Sequence, residues 1–314
     1  MAQIFIDGSA GTTGLRIQER LGERSDITLI TLPEPLRKDA DARRAALNAA
    51  DVAILCLPDA AARESVSLIT NPGTVVLDAS TAHRTAPGWA YGFPELSAEQ
   101  ALRIQRSTRI AVPGCHASGF IALIAPLVAG GILPKSAALS CFSLTGYSGG
   151  GKRMIAEYES EARSPLLDSP RIYGLSQTHK HLPEMTAVPG LDHAPEFLPV
   201  VGDYYSGMLV TVPLSRSSLA AGRGIEDIRE TYRQLYQGPV VTYAEQPDEA
   251  GFMAADALSG LDCMQVSVFG GDERIILAAR YDNLGKGASG AAIQCLNLVL
   301  GADPASGLRL AARA

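Results

Sequence analysis

The sequence has no block of like charges, no internal repeat and no low-complexity segment. Its net charge is −6 at pH 7 and its pI is about 5.4, which argues against a surface for nucleic acid or anionic membranes. The longest apolar stretch, residues 119–133, contains Pro126 and two adjacent glycines and is shorter than the roughly 20 residues of a membrane-spanning helix. Because this stretch is so short, we expect no membrane span. The first residues lack a basic n-region and a cleavage site, so we expect no targeting segment.

Cysteines are few and show no disulfide pattern. The five are odd in number, widely spaced and without a Cys-x-x-Cys pair, which favours reduced thiols in a cytoplasm. Four lie within apolar runs, where a thiol behaves as a small hydrophobic group. Cys115 alone lies among glycine, proline and serine, in VPGCHASG (112–119).

The 314 residues are most simply divided into two domains. Residues 1–114 alternate short apolar runs with segments of helical spacing, which predicts a doubly wound, Rossmann-type parallel sheet. Residues 115–287 contain longer strand patterns; those at 207–215 and 263–282 suggest an antiparallel, one-sided sheet. We therefore predict an α/β nucleotide domain followed by an α+β catalytic and oligomerisation domain with a mainly antiparallel sheet. The final segment, 288–314, contains an apolar helix predicted to return to the first domain.

A glycine-rich turn follows the first predicted strand and precedes the first predicted helix. It reads G-x-x-G-x-x-G, a variant of the dinucleotide fingerprint. Such glycines allow a tight turn and close approach of the backbone to a pyrophosphate at the helix N-terminus. The alternative is a plain glycine-rich turn. The predicted cofactor-binding residues here are Gly8, Ser9, Gly11, Thr12, Thr13 and Gly14.

The turn after the second predicted strand leaves the choice of nucleotide open. Glu34 would accept a hydrogen bond from a ribose 2′-hydroxyl, which favours NAD. Arg37 and Lys38 would hold a 2′-phosphate, which favours NADP. A solvated charged turn is the remaining interpretation.

Cys115 is a candidate nucleophile because it lies between a predicted strand and a predicted apolar helix. The positive end of a helix dipole favours the thiolate, and the free N–H groups of a helix start can hold an oxyanion. A buried structural thiol is the alternative. A proton carrier is available in QTHKHLPEM (177–185), where His179 and His181 share one face of an extended segment and Glu184 could orient an imidazole.

Two further patterns concern ligands. The histidine pair with Cys115 and His116 could supply four zinc ligands, but the spacing matches no known zinc motif, so we predict no metal. A second glycine-rich loop, TGYSGGGKR (145–153), offers N–H groups and two cations, Lys152 and Arg153, for an anion. Arg84 follows the fourth predicted strand, where an α/β sheet places its ligands.

Several motifs, in order along the chain, resemble those of the N-acetyl-gamma-glutamyl-phosphate reductases in their shorter form, which are related to semialdehyde dehydrogenases. The resemblance covers nearly the whole chain. It rests on GSAGTTG (8–14), DASTAHR (78–84), YGFPEL (91–96), VPGCHASG (112–119), SGGGK (148–152), HKHLPE (179–184) and DNLGKGASGAAIQCLN (282–297). At the active-site segment the chain departs from the family pattern: Val112 replaces asparagine, and His116, Ala117 and Ser118 replace tyrosine, proline and threonine.

The resemblance implies an NADPH-dependent reduction of N-acetyl-L-glutamyl 5-phosphate to the 5-semialdehyde, with phosphate release, in arginine biosynthesis. The expected route is a thioester on Cys115, with His181 as acid/base and Glu184 orienting it. Substrate contacts are expected from Arg84, His179, Ser148 and Lys152. The further cofactor-binding candidates are Ser80, Gly149, Gly151 and Asn283.

Other interpretations stay open at this point. The chain could reduce another acyl phosphate, such as aspartyl or carrier-linked aminoadipyl phosphate, or could be a catalytically silent NADP-binding regulator. We expect a cytoplasmic homo-oligomer, a dimer or a tetramer, because the open face of a one-sided sheet needs cover. His116 could contact substrate or fill the place of the aromatic residue.

Overall fold

A computed structural model describes residues 1–311 of the chain. It divides into two units, the first being Met1–Pro113 with Ala288–Leu308. The second is Gly114–Gly287 with the described part of Arg309–Ala314. Residues 312–314 of the predicted C-terminal segment lie outside the described residues.

The first unit is built on a parallel sheet. Its strands are β1 (Ala2–Asp7), β2 (Ile27–Ile30), β3 (Val52–Leu55), β4 (Val75–Asp78), β5 (Ala90–Tyr91) and β6 (Arg109–Ala111). Its helices are α1 (Thr12–Gly22), α2 (Ala40–Ala49), α3 (Asp59–Leu68), α4 (Ala98–Arg106) and, from the end of the chain, α9 (Gly290–Val299). The strand order is β2-β1-β3-β4-β6-β5, with every pair parallel, so the predicted doubly wound fold is confirmed.

Alternate residues of β1 point to the two faces of this sheet. Ile4 and Ile6 pack in one core with Ile17 of α1 and Ile293 of α9. Phe5 packs in the other core with side chains of α2 and α3, including Leu47 and Ala62. Because both faces are covered by helices, the strands are continuous apolar runs.

The second unit contains a mixed sheet. Its strands are β7 (Ser140–Gly146), β8 (Arg171–Ile172), β9 (Glu196–Gly202), β10 (Met208–Ser215), β11 (Val241–Tyr243), β12 (Met264–Gly271) and β13 (Arg274–Tyr281), in the order β11-β12-β13-β10-β7-β9-β8. The predicted antiparallel pairing of 207–215 and 263–282 is confirmed by β10–β13 and β12–β13. Two pairs, β11–β12 and β7–β9, are parallel.

The helices of the second unit are α5 (Cys115–Ala129), α6 (Gly151–Tyr158), α7 (Leu182–Ala187) and α8 (Ile225–Leu235). Helix α5 packs on β10 and β13 through Gly119, where an added Cβ would lie 2.7 Å from Val210 and from the Tyr281 hydroxyl. The apolar helix predicted to follow Cys115 begins at Cys115 itself and ends at Ala129. This start places the cysteine in the first turn of the helix.

Candidate active site

The glycine-rich turn joins β1 to α1 at the point where the strand order reverses, with β2 on one side of β1 and β3 on the other. Open α/β sheets bind their ligands in the crevice at such a point. Gly8 has φ +89°, and a Cβ there would lie 2.3 Å from the carbonyl oxygen of Cys56. A Cβ on Gly14 would lie 2.4 Å from the carbonyl oxygen of Gly8. Both positions therefore require glycine.

A cavity of about 410 Å³ opens beside this turn. It reaches from Gly8, Ser9 and Ala10 to the residues that follow β2, including Thr31, Glu34, Arg37 and Lys38. The predicted turn at Glu34 is a short 3₁₀ helix, Glu34–Leu36. Backbone space at one end and cations at the other suit a phosphorylated dinucleotide, so the residues present fit NADP.

The loop after β4 is held by a network of polar groups. Ser80 donates its hydroxyl proton to Asp78 Oδ2 (2.7 Å), and the His83 ring stacks on Trp89 with centroids 4.1 Å apart. Arg84 donates from Nε to the carbonyl oxygen of Val112 (3.0 Å). These contacts fix the shape of the loop that carries Ser80 and Arg84.

The backbone around Cys115 is fixed by contacts with three other segments. Gly114, the N-cap of α5, donates its N–H to Glu184 Oε2 (3.1 Å). The Tyr281 hydroxyl donates to the carbonyl oxygen of Cys115 (2.5 Å) and accepts from the N–H of Gly119 (3.0 Å). A Cβ on Gly287 would lie 3.0 Å from Cys115 Cβ, so glycine there leaves room for the thiol. The helix start places N–H groups beside the thiol, as an oxyanion site requires.

The other cysteines are poor nucleophile candidates. Burial, with the nearby carboxylates Asp78 and Asp7, raises the pKa of Cys56 to about 12. Burial also raises the pKa of Cys141 and of Cys263. Cys295 is buried and its Sγ donates to the carbonyl oxygen of Gly92 (3.4 Å). Cys115 is half-buried and lies at a helix start, the environment that favours a thiolate.

The predicted histidine pair, His179 and His181, lies against His116. Ring centroids are 5.7 Å apart for His116 and His179, 5.6 Å for His116 and His181, and 4.7 Å for His179 and His181. His181 is the N-cap of α7 and is buried, whereas His179 is half-buried. The fold thus brings both histidines to the residue next to Cys115.

Glu184 was predicted to orient an imidazole. Its Oε2 accepts the hydrogen bond from Gly114 already described, so the carboxylate anchors the turn before Cys115. The side chain is buried. Its role toward His181 stays a prediction.

The second glycine-rich loop is tied to the segment that follows β13. Asn283 donates from Nδ2 to Ser148 Oγ (3.0 Å) and accepts from the N–H of Gly207 (2.9 Å). Gly151 has φ +70°, and Lys152 is exposed at the start of α6. Gly149 is exposed as well. Ser148 and Asn283, predicted for different ligands, are therefore hydrogen-bonded neighbours.

Among residues 1–311 no group of three or more His, Cys, Asp or Glu side chains is arranged to hold a metal ion. Within the same residues no helix has the length and apolar character needed to cross a membrane.

Comparison with known proteins identifies the family of the chain. Residues 34–104 match the family model "Semialdehyde dehydrogenase, NAD binding domain", and residues 115–283 match "Semialdehyde dehydrogenase, dimerisation domain". N-acetyl-gamma-glutamyl-phosphate reductase 2 of Nostoc sp. is 48% identical over 98% of this chain and 99% of its own length. The chain belongs to the N-acetyl-gamma-glutamyl-phosphate reductase family. A Pseudomonas putida member of the family, also named reductase 2, is 45% identical over 97% of this chain and 98% of its own length.

Solved structures share the fold at lower identity. Aspartate semialdehyde dehydrogenase II from Vibrio cholerae superposes with a TM-score of 0.72 at 17% identity, covering 96% of this chain and 99% of that one. The Candida albicans aspartate semialdehyde dehydrogenase, solved with NADP, gives a TM-score of 0.67 at 16% identity, covering 96% and 99%. The predicted fold class and family are confirmed.

Sequence reasoning missed several residues of the site. Tyr173 and Ser143 contact His116, Tyr281 contacts Cys115, and Gly287 packs against it. Only Gly287 lay in a quoted motif, and no spacing rule joins the others to Cys115. Their proximity depends on the order of strands in the second sheet.

Proposed function

We propose that the chain reduces N-acetyl-L-glutamyl 5-phosphate to N-acetyl-L-glutamate 5-semialdehyde with NADPH, releasing phosphate, as a step of arginine biosynthesis. The observation that carries this proposal is the Cys115 turn, a thiol at a helix start with two histidines packed around the next residue. A thiol, the N–H groups of a helix start and nearby histidines are the groups that acyl transfer through a thioester requires. The family, matched along nearly the full chain, supports the choice of acyl group.

The residues after β2 support NADP as the cofactor. NAD-binding sheets of this kind use an acidic residue near the end of the second strand for the ribose hydroxyls. Here Thr31 follows β2 directly, and the cavity lining that comes next holds one acidic residue, Glu34, against two cations, Arg37 and Lys38. We assign these two cations to the 2′-phosphate.

Acylation is the first chemical step. The Cys115 thiolate attacks the acyl carbon, the bond from that carbon to the phosphate oxygen breaks, and phosphate leaves. N–H groups of the first turn of α5 stabilise the oxyanion. The anchored Gly114 turn keeps these donors in place, so little rearrangement is needed when charge develops.

Reduction follows on the same sulfur. When bound, NADPH supplies the hydride that converts the thioester to the aldehyde level. His181 accepts the thiol proton before Cys115 attacks. It then donates a proton to the hemithioacetal oxygen and accepts it again when the carbon–sulfur bond breaks. Histidine suits this exchange because its ordinary pKa lies near neutrality.

We assign the anionic groups of the substrate to the polar side chains predicted for them. Arg84, Ser148 and Lys152 are proposed to bind phosphate or carboxylate oxygens, and His179 to contact the substrate beside Cys115. Guanidinium and ammonium groups with backbone N–H groups are suited to such oxygens. The half-buried position of Arg84 limits its exposure to water and would strengthen an ion pair.

We also propose a homodimer or homotetramer. The face of the second sheet opposite α5 exposes 38% of Phe142 and 46% of Ile276, and such apolar area is commonly covered by a second copy. The five cysteines are all free thiols, which supports a cytoplasmic location.

A phosphate-dependent assay in the oxidative direction tests this function. Purified protein is given the semialdehydes of N-acetylglutamate, aspartate and aminoadipate, each with NAD and with NADP. We expect phosphate-dependent NADP reduction with the N-acetylglutamate compound. A preference for another semialdehyde would refute the substrate assignment. Inactivity with all three, together with tight NADP binding, would favour a silent regulator.

A further inference from the structure

The residue next to the nucleophile, His116, is joined to two hydroxyl groups. Its Nδ1 lies 2.7 Å from Ser143 Oγ on β7, and its Nε2 lies 2.6 Å from the Tyr173 hydroxyl just beyond β8. His116 is 3% exposed. Three segments far apart in sequence therefore meet in one chain of hydrogen bonds.

The His116 ring is electrically neutral. Burial, with the nearby positive charges of His179 and Lys180, lowers the pKa of His116 to about 3. A neutral imidazole carries one N–H, so one nitrogen donates and the other accepts. The ring therefore links the two hydroxyls without exchanging protons at neutral pH.

Ser143 decides which nitrogen carries the proton. It is fully buried, and among residues 1–311 its hydroxyl contacts only His116. If Nδ1 donated to Ser143 Oγ, the serine proton would be left buried without an acceptor, which is costly. Ser143 therefore donates to Nδ1, and Nε2–H donates to the oxygen of Tyr173.

This arrangement leaves the Tyr173 O–H free to donate elsewhere. Among the described residues its hydroxyl contacts only His116, and the side chain is half-buried. Burial, followed by the negative charge at Cys115, raises the pKa of Tyr173. The phenol thus keeps its proton at neutral pH and lies within electrostatic reach of the nucleophile.

We propose that Tyr173 donates a hydrogen bond to the acyl oxygen as Cys115 attacks, and that His116 and Ser143 are positioning residues that aim this donor. The inference rests on the proposed function, because it needs an acyl group on Cys115. No proton leaves Tyr173; the phenol complements the N–H groups of α5. His116 thereby acts through Tyr173, in the place where the family pattern has tyrosine itself.

The test compares Tyr173→Phe with wild type in two measurements. The first is the rate of phosphate release from the acyl phosphate in a single turnover without NADPH, which reports acylation of Cys115 alone. The second is the steady-state kcat and KM. We expect about a 100-fold loss in acylation rate, the size found for loss of one oxyanion donor, with KM changed by less than about threefold.

Variants of His116 test the positioning role. Glutamine reaches the place of Nε2 and retains a donor for Tyr173, whereas asparagine reaches only the place of Nδ1. We expect His116→Gln to keep within about tenfold of wild-type acylation and His116→Asn to fall to the level of Tyr173→Phe. The double variant His116→Asn/Tyr173→Phe should be no slower than Tyr173→Phe, since both changes remove one contact.

Controls separate this inference from folding and from the proposed function. Tyr243→Phe removes a phenol from β11, at the opposite edge of the same sheet, and should acylate as wild type does. Thermal melting checks that every variant is folded. Tyr173→Phe acylating within twofold of an active wild type, or additive losses in the double variant, would overturn the inference. A wild type that releases no phosphate would instead overturn the proposed function.

Discussion

Two strand–turn–helix segments of this chain have different chemical roles and are built in different ways. Between β1 and α1, Gly8 and Gly14 create space, so that backbone can approach a ligand. Between β6 and α5, side chains from α7, from the segment after β8 and from β13 surround Cys115 and His116. The first turn depends on its own glycines and on one close backbone contact, with Cys56, whereas the second depends on side chains from several elements of its domain.

The largest effect should come from the second turn. Cys115→Ser should lower the phosphate-dependent activity at least about 1000-fold, because an alcohol at neutral pH is a far weaker nucleophile than a thiolate. The dissociation constant of NADP, measured by calorimetry, should stay within about twofold. Cys263→Ser is the matched control and should remain active. Retention of a tenth of the activity by Cys115→Ser would remove the cysteine from its assigned role.

The two histidines should differ in kinetics. His181→Asn should lower kcat by about 100- to 10,000-fold, the usual range for a lost acid/base group, with little change in KM. His179→Asn should mainly raise KM, because a binding contact is lost. Steady-state measurements of kcat and KM for both variants show which histidine is the acid/base. The reverse pattern would make His179 the acid/base.

The first turn should respond to added bulk. Gly8→Ala forces an unfavourable φ and a clash with the Cys56 carbonyl, so we expect a loss of about 2–4 kcal/mol in unfolding free energy, together with loss of NADP binding. Gly22→Ala, at the last residue of α1, meets nothing within 4 Å and should be neutral or slightly stabilising. Urea unfolding of both variants gives the comparison. Equal stabilities would show that the turn tolerates a side chain.

The cations beside the first turn should set the choice of nucleotide. Arg37→Ala/Lys38→Ala should weaken NADP binding about 10- to 100-fold, since hydrogen bonds to charged groups contribute about 1.5–3 kcal/mol. NAD binding should hardly change. Arg44→Ala, an exposed cation on α2, serves as the control in the same titration. Equal weakening of NAD and NADP would place the 2′-phosphate elsewhere.

The last prediction concerns the pH dependence of stability. The folded pKa of His116 is lowered to about 3, and the unfolded value is about 6.5, so between these values the unfolded state binds more protons. Stability from this residue is therefore full above about pH 6.5 and declines toward pH 3, by at most about 1.4 kcal/mol per pH unit. His116→Gln should flatten the dependence of unfolding free energy on pH in this window. An unchanged slope would mean that His116 titrates normally.

The sequence by itself determined the first turn and the identity of the nucleophile. Glycines between a strand and a helix indicate the backbone geometry of the turn that joins the two elements. The steric limits on φ act within a residue and its chain neighbours, so the sequence alone reveals them. Cys115 stood out for a similar reason, as the one cysteine outside an apolar run. Two of the antiparallel pairs of the second sheet, β10–β13 and β12–β13, also followed from local patterns, since their alternation reports one buried face.

Only the tertiary structure decided what surrounds that nucleophile. The contact of Glu184 with Gly114 depends on where α7 packs, and the role of Glu184 toward an imidazole stays a prediction. Tyr173 and Ser143 reach His116 because β7 and β8 flank β9 in the sheet, and no pattern in the sequence gives that order. Hydrogen bonds between residues 27 and 57 positions apart are set by strand pairing and burial, which act over the whole domain.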